Sequence, residues 1–201
     1  MAAARRYVVP HSKLTAAVLG LALSWIGSTT AGSAQSTGVP GSLQAELLAK
    51  LEGYDRTFAS RAGDLARVLI VVKSGDAKSE LSATEMKSAL KRTAQIGGLS
   101  HQESVMPYSG AAELARRCQQ ERIAIVFIAA ELDDAIEAIA KALSSLNVLS
   151  VGAHPGYVAK GIVLGFELES GRPKIVINLE QARRQNVDFS SSVLRLMRVY
   201  R

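Results

Sequence analysis

Beyond its first 34 residues the chain offers two histidines, His101 and His154, and one cysteine, Cys118, for any nucleophilic chemistry. A serine or cysteine nucleophile needs a base within reach. No Gly-x-Ser-x-Gly elbow is present, because Tyr108-Ser109-Gly110 lacks the first glycine. His101 reads as an exposed or hydrogen-bonded strand residue. Cys118 follows Arg116 and Arg117, a setting that could lower its pKa, although a lone cysteine near a helix end more often packs as a small core residue. A metal centre would need ligands at fixed spacing, and the sequence has no His pair at i, i+4 and no Cys pair. Asp133-Asp134 reads instead as negative charge in the first turn of a helix. The sequence thus predicts no catalytic set, no metal site and no cofactor.

The segment Gly152-Ala-His-Pro-Gly-Tyr-Val-Ala-Lys-Gly161 is the richest remaining candidate, since it follows a predicted strand and holds His154, Tyr157 and Lys160. Gly156 and Gly161 have the spacing that opens a phosphate loop, but Ile162 and Val163 stand where Lys and Ser or Thr belong, and the second glycine leads into a strand rather than a helix. Two readings stay open: a ligand or partner site at the carboxyl end of a parallel strand, or a Pro-Gly turn that reverses the chain.

The elements that must position these groups follow from periodicity. Ser42 caps a helix whose apolar face is Leu43, Leu47, Leu51, Tyr54 and Phe58, running to about Ser60. Val68 to Val72 is a strand covered on both faces, and Lys73 to Lys78 a polar loop. Ser82 and Glu85 have capping-box spacing for a helix to about Ala94. His101 to Met106 makes a short strand, Ser109 caps a helix through Gln120, and Ile123 to Ala129 is a second buried strand. Leu132, Ile136, Ile139, Ala140, Leu143 and Leu146 mark the strongest amphipathic helix. Val148 to Val151 is a strand, Ile162 to Leu168 and Lys174 to Ile177 form a hairpin around Glu169 to Pro173, and helices at Leu179–Gln185 and Ser191–Tyr200 close the chain. Alternating strands and helices predict a three-layer α/β domain over residues 42–201: a mostly parallel sheet, helices on both faces, and an antiparallel C-terminal hairpin.

Residues 1–34 have the order of a cleavable export signal. Arg5, Arg6 and Lys13 precede an uncharged stretch from Leu14 to Ile26, and small residues run through Gly32, Ser33 and Ala34. The stretch falls short of the ~20 residues of a membrane span, so no permanent span is expected after cleavage between Ala34 and Gln35. Arg5-Arg6 suits a twin-arginine route or a plain secretory one. Residues 35–41 form a Ser, Gly and Pro linker. Half of the net charge of +6 comes from Arg5, Arg6 and Lys13, and the only tryptophan is Trp25; the remaining charges are mixed in sign, which argues against a nucleic-acid partner. With Cys118 alone, no disulfide can form within the chain, leaving a buried thiol or one shared between two subunits.

The C-terminal third resembles the YfiR-like family of exported bacterial proteins. Ile175-Val-Ile-Asn-Leu-Glu-Gln-Ala-Arg-Arg184 and Phe189-Ser-Ser-Ser-Val-Leu-Arg-Leu-Met-Arg198 are similar to that family's closing pattern. Val148 to Val151, Leu47 to Tyr54 and Ile123 to Ile128 are similar to earlier elements. In this pattern Asn178 ends a strand and caps a helix, Leu179 and Ala182 face inward, and Arg183 or Arg184 reaches a carboxylate, so the motif reads as scaffold. The resemblance implies a periplasmic, non-enzymatic regulator that binds and restrains a membrane-bound diguanylate cyclase, controlling cyclic di-GMP and biofilm formation. It also implies a possible homodimer, and redox control through cysteine pairs; only from the second does this chain depart, having Cys118 alone. A periplasmic small-ligand-binding domain using the Gly152 to Gly161 loop is the alternative.

Overall fold

The computed structural model of the chain describes residues 38–200. The expected export signal, its expected cleavage between Ala34 and Gln35, and the start of the expected linker lie outside the described residues.

The helix expected from Ser42 to Ser60 is broken into α1 (Gly41–Leu51), a 3-10 turn at Glu52–Tyr54 and α2 (Phe58–Ala62). The break is made by Asp55, which is extended (φ −86°, ψ 113°) and bridges to Phe189 near the other end of the chain. Tyr54, expected on the apolar face, is thereby turned to solvent.

β1 (Ala66–Val72) follows, and α3 (Ala77–Arg92) starts a turn earlier than the Ser82 capping box predicts. Asp76 is the real N-cap: its carboxylate accepts from the backbone N–H of Lys78 and Ser79, each at 3.0 Å. Next come β2 (His101–Pro107) and α4 (Ala111–Gln120), the latter with Gly110 rather than Ser109 at its N-cap. β3 (Ile125–Ile128), α5 (Ile136–Leu143) and β4 (Leu149–Gly152) agree with the expected elements, with α5 beginning after Asp133-Asp134 instead of including them.

The short α6 (Gly156–Ala159) precedes the hairpin of β5 (Leu164–Glu169) and β6 (Arg172–Asn178). Its two-residue turn, Ser170-Gly171, has φ of 52° and 75°, the double positive φ that matches strand twist in tight hairpins. After α7 (Leu179–Arg184), α8 (Ser191–Leu194) lasts one turn, and the expected helix to Tyr200 gives way to β7 (Arg198–Tyr200). β6 would otherwise be left with an unpaired row of backbone groups; Val199 pairs with Ile177 in parallel and covers it.

The strands form one seven-stranded sheet in the order β2-β1-β3-β4-β5-β6-β7, parallel except for the β5–β6 pair. Strand alternation splits the core into two layers. Val68, Ile70 and Val72 of β1 join the cluster under α1 and α3, while Leu69 and Val71 join the one under α4 and α5. The three-layer, mostly parallel α/β architecture with an antiparallel C-terminal hairpin is thus present. Among the described residues no helix is long and apolar enough to cross a membrane.

Candidate functional site

The Gly152 to Gly161 segment lies at the carboxyl end of β4, as the parallel sheet requires, but its three polar residues do not converge. Tyr157 is fully buried. Its hydroxyl accepts from the backbone N–H of Leu132 at 2.9 Å and lies 3.4 Å from both the Ala129 carbonyl and the Asp133 carboxylate. Burial holds this phenol well above the ordinary tyrosine range, so it is neutral. His154 is exposed and meets the Tyr157 ring edge-on, with centroids 5.7 Å apart. Lys160 is exposed too, with Nζ 3.9 Å from Asp133 Oδ1. The Tyr157 ring does not face Lys160 but plugs the gap between β4 and the loop before α5.

Two glycines let this plug sit so close. A Cβ on Gly152 would come within 2.9 Å of the Tyr157 Cβ, and one on Gly165 within 2.8 Å of the Val158 side chain. What remains for a ligand is an open polar depression of about 340 Å³ beside Lys160, bounded by Glu137, Glu180 and Arg184.

The closing motif ties three elements together. Asn178 Oδ1 accepts from the Gln181 N–H at 2.9 Å and so caps α7, while its Nδ2 donates to the Val158 carbonyl at 3.2 Å, tying α7 to α6. Leu179 packs against the core and Ala182 is buried. Arg184, not Arg183, takes the carboxylate, pairing with Glu180 one turn back. Replacing Asn178 by Ala is expected to cost about 1 kcal/mol, the worth of a helix cap, read as a shift in urea midpoint at unchanged slope.

Cys118 is buried under α4. Burial, with a smaller push from Glu121 against the pull of Arg117, raises its thiol to about 12. The flanking arginines therefore do not activate it: Arg116 is turned to Glu113, and Arg117 to Glu121 at 3.0 Å. Alkylation of Cys118 in the native protein at pH 8 is expected to be at least ten-fold slower than in urea; equal rates would show the thiol to be open. His101 is engaged as well, Nδ1 with Glu103 and Nε2 with the Thr93 carbonyl at 2.9 Å.

Sequence reasoning missed two polar devices, because helical periodicity assigns polar residues to the surface. One is a bridge between β4 and β5, whose ladder is limited to Val151 opposite Leu164. Buried Ser150 accepts from the Val163 N–H at 3.0 Å through its hydroxyl and donates its own N–H to Gln185 Oε1 at 3.1 Å. The other is a buried cluster of Glu52, Asp55 and Arg61, whose side chains are wholly out of solvent. Arg61 Nη2 reaches Glu52 at 3.1 Å and Asp55 at 2.5 Å. Asp55 also accepts from the Thr57 hydroxyl at 2.7 Å and from the Asp188 N–H at 3.1 Å, clasping the C-terminal segment. Among the described residues no group of three or more His, Cys, Asp or Glu is placed to hold a metal ion.

A family model described as YfiR/HmsC-like matches residues 42–198. No curated protein matches the sequence. Among solved structures, an ABC domain from Streptococcus pneumonia in complex with L-Trp is similar in fold, with a TM-score of 0.57 at 13% identity, covering 80% of this chain and 62% of that one. A conserved domain protein from Vibrio cholerae has a TM-score of 0.55 at 16% identity, covering 81% and 60%. A ligand-free substrate-binding protein with adhesive properties from Clostridium difficile has a TM-score of 0.53 at 12% identity, covering 78% and 58%. The chain spans about three fifths of the length of these structures, and identities this low relate the fold alone.

Proposed function

Because the chain belongs to the YfiR/HmsC-like family, we propose that it is an exported periplasmic regulator, without enzymatic activity, that binds a membrane signalling protein of the diguanylate cyclase type and holds it inactive. The observation that carries this reading is the family match, which runs from the first residues of α1 to the start of β7. The geometry is in keeping with a binding role. Cys118 is buried and protonated, Tyr157 is a core residue, and His101 is committed to two partners. In this reading residues 1–34 are the signal and residues 42–201 the domain that acts. A second copy of the chain gains no bridge from the buried Cys118, so a homodimer here rests on surface contacts.

The test is affinity capture of the tagged protein from detergent-solubilised membranes of its own bacterium, with mass spectrometry of what co-purifies. Recovery of a membrane protein with a cyclase output domain, and a rise in cyclic di-GMP when the gene is deleted, is the expected result. Capture of no membrane protein, together with unchanged cyclic di-GMP, would sink the proposal and turn attention to ligands of the depression beside Lys160.

A further inference from the structure

Cavities gather at the amino-terminal rim of the sheet, the end opposite the Gly152 to Gly161 segment, and the regulator reading makes no use of them. One of about 310 Å³ is bounded by Arg67 on β1, by Gln102 and Ser104 on β2, and by Arg122 just past α4. Two more, of about 210 and 300 Å³, share Arg122 with it, and the smaller shares Arg67 as well. The parallel register sets Arg67 beside Gln102 and Leu69 beside Ser104. Residues two apart on a strand share a face, so Arg67, Gln102 and Ser104 stand on one side of the sheet.

The charges there are unspent. Among the described residues no ion pair involves Arg67 or Arg122, and the carboxylate bounding the cavity they share with Gln102 and Ser104, Glu121, lies 3.0 Å from Arg117. Asp64 bounds the smallest of the three cavities and Arg67 is missing from the third, so the first is where Arg67 and Arg122 meet with no unpaired carboxylate beside them. Two arginines brought to one concavity repel each other unless something negative lies between them.

The backbone at Arg122 adds a separate argument. Its φ is +51°, and the Ile123 N–H reaches back to the Cys118 carbonyl at 3.0 Å. This is the helix ending in which the left-handed residue is ordinarily glycine. An arginine is strained there relative to glycine. Attraction to the carbonyls ending α4 accounts for one cation near that point, but not for Arg67, which comes from a strand.

We propose that this rim binds a small dianion, a phosphate group or a dicarboxylate, between the guanidiniums of Arg67 and Arg122, with Ser104 and Gln102 as further donors. Paired guanidinium forks suit planar or tetrahedral oxyanions, and about 310 Å³ lies at the small end of ligand cavities.

The test is thermal unfolding and calorimetric titration of the purified protein with inorganic phosphate and, separately, succinate, each against sodium chloride at equal ionic strength. The expected result is a rise in Tm of several degrees at millimolar phosphate or succinate, absent with chloride; whichever of the two binds tighter identifies the ligand class. Arg67→Gln weakens binding at least ten-fold. Arg122→Gly does the same while raising the Tm of the anion-free protein, because glycine relieves the left-handed strain. The pairing of higher stability with lost binding is what a merely structural arginine would not give. A Tm that responds equally to chloride, no titratable binding, or binding unchanged in Arg67→Gln and Arg122→Gly would overturn the assignment.

Discussion

Replacing Arg61 by Ala should lower the stability of the fold by about 3–5 kcal/mol, the usual result of removing one partner from a buried ion pair. Arg61 is the cation that Glu52 and Asp55 share, and all three side chains are out of solvent. Its loss leaves the Asp55 carboxylate without its countercharge in a site closed to solvent, beside a Glu52 that already holds its proton. The guanidinium also lies over the Phe58 ring at 5.6 Å, so some packing goes with it. The C-terminal segment should loosen in consequence, since Asp55 is its anchor through the Asp188 N–H and through the bridge to Phe189. Urea denaturation measures the loss, and hydrogen exchange at Asp188 to Ser190 shows where it falls. A change below 1 kcal/mol would mean that the cluster is hydrated in solution.

The same cluster sets a pH dependence of definite sign. Burial, reinforced by the neighbouring Asp55 and opposed by Arg61, raises the Glu52 carboxyl from 4.5 to about 8. Its folded pKa lies above its unfolded one, so the stability it contributes is complete below about pH 4.5 and drains away as pH rises through about 8. Asp55 runs the other way. Burial would raise it, but the Arg61 charge and the hydrogen bonds from Thr57 together prevail, and its pKa falls. Its contribution is present above its unfolded value and is lost as pH drops below it. At neutral pH one proton is therefore held on Glu52, and Arg61 balances the Asp55 charge. Glu52→Gln should flatten the alkaline limb, leaving the variant more stable than the parent at pH 9; a parallel pair of curves would place the titration elsewhere.

The fold class was legible because strands buried on both faces and amphipathic helices write their periods directly into the chain, as at Val68 to Val72 and Ile136 to Leu143. What escaped depended on partners far away in sequence. Asp55 breaks a well-spaced apolar stripe because it answers to Asp188 and Phe189, and Arg198 to Tyr200 becomes a strand because β6 has an open side. Neither reason can be seen within a local window. The scaffold role of Asn178 was readable, since a strand-ending Asn before a helix has one obvious use, yet its second bond to Val158 was not. In the candidate loop the sequence left a polar site and a chain-reversing turn both open. His, Tyr and Lys within seven residues suggested a cluster, whereas a one-turn helix sends Tyr157 inward and leaves His154 and Lys160 outside.

That inward turn carries the second large expectation, a loss of about 3–5 kcal/mol for Tyr157→Ala, the range for emptying a buried aromatic site. The ring fills the space that Gly152 leaves open. Tyr157→Phe separates the two parts of the effect. It keeps the ring and removes the acceptor for the Leu132 N–H, for which about 1–3 kcal/mol is expected if that buried donor goes unpaired. The loop itself should become susceptible to proteolysis between His154 and Lys160 in Tyr157→Ala but not in Tyr157→Phe, because in the second variant packing still holds α6 down. Should Tyr157→Ala prove nearly neutral while the loop stays resistant, the glycines at 152 and 165 would need another explanation than close approach, and the segment would regain its standing as an open site. If the expected losses appear, the loop is architecture, and partner recognition must be sought on other surfaces of the sheet and its helices.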